Sequence, residues 1–521
     1  GDFCVGGAMD SLYDSACGAY IYDEDVLDFL VKYDNNLAGE MQILQPDCRT
    51  IINSQFLVAY RSALDTSGAP LSTDILFGLG YDRIPKCFGL MDTSALQGIG
   101  IGAVQTVPGL SLSGKDVLVG FIDTGIDFAN PLFRRADGTC RVTAIWDQTQ
   151  AAYEAGGQNM SMQSEEIDTR PIFGYGREYP QELLAIQTEQ PYQIVPSRDT
   201  DGHGTFLASV AAGNTYLDGD DIFSGVAPES DIIMVKLKQA KQRLRDFFLI
   251  PDGVPCYSEA DIILGVKYLI NKAMELGKPL VICLGLGTNQ GDHNGNLNLE
   301  LYLDTVVTLP GICVVGSAGN ELGTGGHFAS LSTINLGNQN GISQPRTRTV
   351  RNEMEIYVED ENPGFCTEIW GRAPSLYQIA VYSPTGQRFD QLFPNRDSSG
   401  MITYLYEGTT LYAESVVVEN NSGDPFILLR FEKPAPGIWR IEVTENYSSF
   451  PAGYDAWLPI RQFLGGNTRF SRPDPEVILC APANARGTIT VAGYNHLDNS
   501  LYVESSRGYT RKGRIQPDFA A

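Results

Sequence analysis

The sequence predicts an α/β protein built on a mainly parallel sheet, with a small α+β unit ahead of it and an all-β unit inserted into it. Three observations carry that expectation. Between residues 115 and 319, apolar runs ending in glycine turns alternate with stretches of helical spacing, the pattern of an α/β layer. Near Gln344 the helical periodicity vanishes and short β-type runs take over. At about Pro475 the α/β texture resumes, which makes the β-rich stretch an insertion. At 521 residues the chain is too long for one ordinary core, so two or three packed units are expected.

Residues 19–63 read as the α+β unit. DEDVLDFLVKYDNN (23–36) is a helical candidate, EMQILQP (40–46) a strand candidate, and RTIINSQFLVAYRSA (49–63) has near-alternating apolar positions. The looser stretch 64–102, rich in Gly, Ser and Thr towards its end at SALQGIGIG, reads as a linker or cleavable junction. KDVLVGFID (115–123) is a continuous apolar run ending at an acidic residue and a glycine turn, as in a buried parallel strand whose C-terminal end carries function. GVAPESDIIMVKL (225–237) is strand-like at its end. EADIILGVKYLINKAMELGK (259–278) has helical spacing and a stop at Gly277, while PLVICLGLG (279–287) and GICVVGSAGN (311–320) are buried-strand runs. In the insertion, NEMEIYVED, LYQIAVYSP, MITYLYEG, ESVVVENNSG, FILLRFEK and GIWRIEVTEN are six strands that fit a sandwich or jelly roll. The α/β texture resumes with EVILCAP (476–482) and TITVAGYN (488–495).

Charge excludes some functions. A balance of 37 Lys and Arg against 63 Asp and Glu leaves a formal charge of -26, which repels nucleic acid and anionic membrane surfaces. No nucleic-acid or membrane partner is expected, and no apolar run approaches the ~18 residues a bilayer crossing needs. The first thirty residues carry acidic groups but no Lys or Arg, so no secretory signal is visible. Ten cysteines without a Cys-x-x-Cys pair or a histidine at ligand spacing signal no zinc site. Cys283 and Cys313 lie inside apolar runs, where a thiol behaves as a small core hydrophobe, and this fits a reducing compartment.

Two segments carry chemistry. GFIDTGID (120–127) and DGHGTFLASVAAG (201–213) frame an aspartate and then a histidine with small residues. A serine hydroxyl attacks a carbonyl poorly until an imidazole takes its proton, and a buried carboxylate holds that imidazole in the right tautomer. Together with GVAP (225–228), SAGNE (317–321) and SSRGYTRKGRIQPDFAA (505–521), these segments resemble, in order, the motifs of the subtilase family. TAIWDQTQ (143–150), LGLGTNQGDHNG (284–295), the N-terminal unit and the inserted β unit narrow the resemblance to the clostridial germination-specific Csp-type proteases.

The resemblance implies a subtilisin-like sheet with helices on both faces. It implies a propeptide over 1–97, a catalytic domain over 98–343 and 471–521, and a jelly-roll insertion over 344–470. Asp123 would orient, His203 would act as base, and Asn320 would donate its side-chain amide to an oxyanion. Leu284, Gly285, Leu286 and Gly287, with Ser317, Ala318 and Gly319, correspond to strands that bind substrate backbone and wall the primary pocket. The implied partners are a polypeptide substrate and the chain's own propeptide, bound to the catalytic domain. No cofactor and no metal are implied. A proenzyme cleaved during spore germination is the implied substrate, in a spore-associated or cytoplasmic setting.

The family's nucleophilic serine follows the proline-aspartate phrase at Pro517 by a few tens of residues, so the chain as written is expected to be incapable of triad catalysis. Ser505 and Ser506 fall upstream of that position and are assigned no catalytic role. Asp127, Asp199 and Asp201 read as turn or supporting residues, and His293 and His327 as structural. Gly202 and Gly204 are expected to let a substrate backbone approach, and Phe206 stands where many relatives carry a second histidine. Autoprocessing is expected within SALQGIGIG (94–102). Two functions remain, an endopeptidase with its serine beyond residue 521 or an inactive scaffold whose added units bind partners. The residues encoded after Ala521 discriminate them.

Overall fold

The computed structural model describes residues 17–64, 71, 78–91, 112–135, 137–150, 172–186, 190–218, 221–330, 348–360, 362–447, 452–495 and 500–521. Strands β1 (Val26–Lys32), β2 (Cys48–Ile51) and β3 (Phe56–Ser62) form an antiparallel sheet in the order β1-β3-β2, with helix α1 (Leu37–Leu44) between β1 and β2. The helix and strand expected here are interchanged. Short apolar runs satisfy both periods, and β1 is a strand because all seven of its residues pair with β3. Helix α1 opens where the Asn36 side chain accepts from the Gly39 N–H, at the end of the stretch 23–36 expected to be helical. Cys17 and Cys48 are joined by a disulfide, which the reading towards reduced thiols did not anticipate.

After β4 (Cys87–Leu90) come β5 (Leu118–Asp123), β6 (Val142–Asp147), β7 (Arg177–Pro180), α2 (His203–Ala212), β8 (Asp231–Lys236), β9 (Tyr257–Ser258), α3 (Glu259–Leu276), β10 (Leu280–Leu284), β11 (Leu286–Gly287), α4 (Asn298–Val306), β12 (Ile312–Ser317), β13 (Ile489–Ala492) and β14 (Phe519–Ala520). The central sheet runs β14-β13-β12-β10-β5-β8-β6-β7, parallel at every step except β6 to β7. Every residue of β5 is buried, as a parallel strand covered on both faces requires. Its alternation sends Leu118 and Ile122 into the cluster with α3, and Val119 and Phe121 into the cluster with α2. Asp123, next on the α2 side, emerges at the strand's C-terminal end. Ser258 caps the start of α3, and Gly277 ends it with a φ of 63°.

The β-rich region folds as two antiparallel sheets of six and five strands. Arg348–Val358 pairs with Gly437–Tyr447 in one sheet, and Gly364–Trp370 pairs with Phe426–Glu432 in the other. Met354, Ile356, Trp439 and Ile441 meet Phe365, Leu411, Leu429 and Phe431 between them. The strand expected at ESVVVENNSG lies earlier, at Thr409–Val416. Gly364–Trp370 was not expected, because it is buried throughout and carries Cys366, Thr367 and Glu368 where a simple alternation would show apolar residues. Glu368 is satisfied by the Tyr81 hydroxyl, the Gly291 N–H and the Trp370 indole. A separate apolar cluster joins Phe426, Trp457 and Ile460 of this region to Tyr81, Met91 and Phe248. Among the described residues, no helix is long and apolar enough to cross a membrane, and no group of three or more His, Cys, Asp or Glu could hold a metal ion.

Candidate active site

Asp123 and His203 meet at the C-terminal edge of the central sheet, where open α/β sheets leave a crevice. Asp123 is 1% exposed at the end of β5, and His203 is the first residue of α2. The histidine Nδ1 lies 2.8 and 3.0 Å from the two Asp123 carboxylate oxygens, and its Nε2 lies 2.9 Å from the Met91 carbonyl. Asp199 holds the turn in front of α2. Its carboxylate accepts from the Gly202 and Thr205 amides and from the Thr205 and Thr124 hydroxyls. Burial raises the Asp199 pKa, but these hydrogen bonds outweigh it and hold the group below the usual carboxylate range. Gly202 and Gly204, expected to give a substrate room, also serve the turn and the close approach of α2 to β5. Gly202 has a φ of 98°, and a Cβ on Gly204 would sit 3.1 Å from that of Asp123.

The Met91 carbonyl belongs to a strand lying in the crevice. β4 is the middle of an antiparallel sheet β9-β4-β11, with Leu90 and Gly89 opposite Leu286 and Gly287, and Phe88 and Cys87 opposite Tyr257 and Ser258. The Met91 N–H donates to the Gly285 carbonyl at 2.8 Å. Gly285 must lack a side chain there, because a Cβ would collide with Leu207 and come within 3.2 Å of His203 Cε1. A strand added between two edges satisfies its backbone on both sides and leaves alternate side chains to pockets. Phe88 is fully buried, which is worth about 1.5–3 kcal/mol. Met91 lies against Gly287, beside Cys480. Upstream, Lys86 both accepts from the Glu259 N–H and donates its own N–H to the Glu259 carboxylate.

A family model described as the subtilase family matches residues 114–347, the stretch that holds Asp123, His203 and the cleft edge 284–287. This chain carries a subtilase domain. The solved structure of the Clostridium perfringens CspB protease resembles it with a TM-score of 0.63 and 25% identity, covering 82% of this chain and 79% of that one. Two Arabidopsis thaliana relatives, subtilisin-like proteases SBT2.2 and SBT2.3, are 30% identical over 163 residues and 32% identical over 162. The matched stretch spans 28% of this chain and 17% of either plant protein.

In this domain, Gly285, Leu286 and Gly287 lie along one edge of the occupied cleft, directly after Leu284. Ser317, Ala318 and Gly319 lie behind it. The carbonyls of Ala318 and Gly319 accept from Cys480 and Ser506, so these residues face the 480 and 506 segments and do not pair with β4. Asn320 follows, half-buried, and its backbone contacts the Cys480 thiol. The Ser506 hydroxyl accepts from the Glu321 N–H at 3.0 Å. His293 and His327 stack on Trp457, with ring centroids 4.1 and 4.7 Å away.

Three parts of the site escaped the sequence reading. β4 lies within the stretch read as a linker, and its short apolar run Cys87–Leu90 was the available signal. β9 supplies the second cleft edge from two residues ahead of a helix, too few to show a period. EVILCAP, read only as a return of the α/β texture, makes an isolated bridge between Ala481 and Thr288 and packs Cys480 into the wall beside Met91. The expected processing stretch 94–102 lies outside the described residues.

Burial opposes a charge on His203, but the hydrogen bond and charge of Asp123, with the Met91 carbonyl, outweigh it and raise its pKa to about 9. Both ring nitrogens face acceptors, so the occupied cleft favours the imidazolium. The sign follows from the ordinary value near 6.5. Protonation of His203 helps hold β4 fully below that pH, and this help is lost as the pH rises through about 9. Neutral His203 with its proton on Nδ1 turns a lone pair towards the Met91 oxygen. An NMR titration is therefore expected to place His203 near 9 while the cleft is occupied, with β4 amide exchange accelerating beyond its intrinsic rate above that pH. A midpoint near 6.5 in the occupied state contradicts this account.

Proposed function

We propose that the protein is a subtilisin-type serine endopeptidase and that β4 with Met91 occupies its cleft as the acyl side of a substrate does, presenting the Met91–Asp92 bond. One convergence supports this most directly: the Met91 N–H on Gly285, its carbonyl at His203 Nε2, and His203 Nδ1 on Asp123. In a triad mechanism a serine hydroxyl attacks the scissile carbonyl while His203 takes its proton at Nε2. Asp123 keeps the proton of Nδ1 in place and stabilises the imidazolium. The C–N bond then breaks as His203 passes the proton to the leaving amine, and a water repeats the sequence to free the carboxylic acid. Asn320 is proposed to donate its amide to the oxyanion.

Within this reading, the propeptide that stays bound ends at Met91 once the Met91–Asp92 bond is cut, short of the boundary at 97 that the resemblance implies and of the processing stretch expected at 94–102. Residues 344–470 are a jelly-roll insertion that braces the cleft of the catalytic domain formed with 471–521. Buried contacts from Tyr81 to Phe426 and Glu368 support that bracing. The Csp-like resemblance supports a proenzyme as the substrate. Full-length protein including the residues encoded after Ala521 is expected to take a fluorophosphonate label on a single serine once β4 has left the cleft. Folded, cleared protein that takes no label overturns the endopeptidase reading.

A further inference from the structure

The β-rich region reaches the cleft strand at Gly89. Ile460 and Gln462 lie at the short turn Arg461–Phe463, and a Cβ on Gly89 would sit 2.7 Å from Ile460 Cδ1 and 2.6 Å from Gln462 Cδ. It would also collide with the Gln462 amide nitrogen. Gly89 pairs with Gly287 in ordinary strand geometry and is not among the positive-φ glycines, so space and not torsion demands glycine here. Ile460 is 0% exposed and packs in one cluster with Met91, Phe463 and Cys480, which leaves it no room to retreat. Gln462 is tied to the same strand, its amide 3.4 Å from the Leu90 carbonyl that it hydrogen-bonds.

Resting on the reading of β4 and Met91 as substrate-like, we propose that Ile460 and Gln462 are specificity-determining residues that restrict the cleft to polypeptides with glycine two positions ahead of the cleaved residue. The pattern the cleft selects is glycine followed by two residues, cut after the second, as Gly89, Leu90 and Met91 are seated here. A side chain at the first of these positions, even a methyl group, must displace both Ile460 and Gln462. The specificity therefore resides in the β-rich region, outside the stretch 114–347 that the subtilase model matches.

The test uses the full-length chain and two readouts, cleavage at Met91–Asp92 by mass spectrometry and hydrogen exchange of the β4 amides. Gly89→Ala is expected to lower exchange protection and cleavage rate by roughly ten- to a hundredfold, the scale of an overpacked contact. Ile460→Val deletes the colliding Cδ1, and Gln462→Ala deletes the colliding amide. Adding both to Gly89→Ala is expected to restore either readout to within about threefold of the parent, on the same scale. Exchange in β10 and β12 reports whether each variant keeps its central sheet. A Gly89→Ala chain with unchanged exchange and cleavage overturns the proposal, and so does a loss that the two added substitutions fail to restore. Absence of cleavage throughout, with exchange following the expected order, sinks the catalytic reading and leaves the glycine selection standing.

Discussion

Replacing His203 with alanine in the full-length protein is expected to lower peptide hydrolysis by roughly 10⁴- to 10⁶-fold, the range seen when a triad base is removed from a subtilisin. The size of the effect comes from chemistry and not from lost folding. The imidazole is the group whose Nε2 faces the Met91 carbonyl and whose Nδ1 is held by Asp123, the arrangement a base needs to take the serine's proton. The cleft strand keeps its other supports in this variant. Gly285, Leu286 and Gly287 still bond or pair with Met91, Leu90 and Gly89, and Phe88 remains buried. Exchange protection of β4 should therefore fall far less than turnover, and by the amount one hydrogen bond supplies. Turnover within tenfold of the parent would show that His203 is not the base, whatever the serine probe reports.

Asp123 and His203 were legible in the sequence because the chemistry demands those residue types and each sits in a frame of small residues. LVGFID was legible for a related reason, since a strand covered on both faces must be apolar throughout. Local signals failed where tertiary pairing decided the outcome. DEDVLDFLVKY holds five apolar residues that either period accommodates, and its pairing with Phe56–Ser62 makes it a strand. Gly364–Trp370 hid behind Glu368, a charge tolerated because three donors from 2 to 287 residues away converge on it. EVILCAP has strand composition, yet Val477 and Cys480 pack into the cluster that holds Met91 while Leu479 packs against Ala318, and only Ala481 makes a bridge. The cleft strand itself was the hardest to see. Its partners lie about 170 and 200 residues downstream, and Gly89, which a sequence reading takes for flexibility, is there because Ile460 and Gln462 leave no space.

Replacing Asp28 with alanine is expected to weaken the seating of the N-terminal unit by about 3–5 kcal/mol, the cost of leaving one partner of a buried ion pair alone. Asp28 on β1 meets Lys241 at 2.7 Å, with their side chains 10% and 5% exposed. Without the carboxylate, the Lys241 ammonium keeps the Tyr20 and Val26 carbonyls, which solvate it without neutralising it. A second buried pair, Lys238 with Asp261 at 2.7 Å, stands close enough to act on Asp28, so the charges form one cluster under β1. Burial pushes the Asp28 carboxyl above its ordinary range, and the two lysines draw it back without fully offsetting the loss of water. The pair therefore contributes little net stability as a unit and costs much when halved. Asp28→Leu combined with Lys241→Met is accordingly expected to fall within about 1 kcal/mol of the parent, as replaced buried pairs often do. Exchange of the β1 and β3 amides measures both: roughly 10²- to 5 × 10³-fold faster opening for Asp28→Ala, and near-parental rates for the double replacement. A double replacement as damaging as the single one would mean that Asp28 holds the unit through its charge alone. Parental exchange in Asp28→Ala would mean that the continuous apolar contact of Val26, Leu30 and Phe56 with Ile262, Val266 and Tyr302 seats the unit without help.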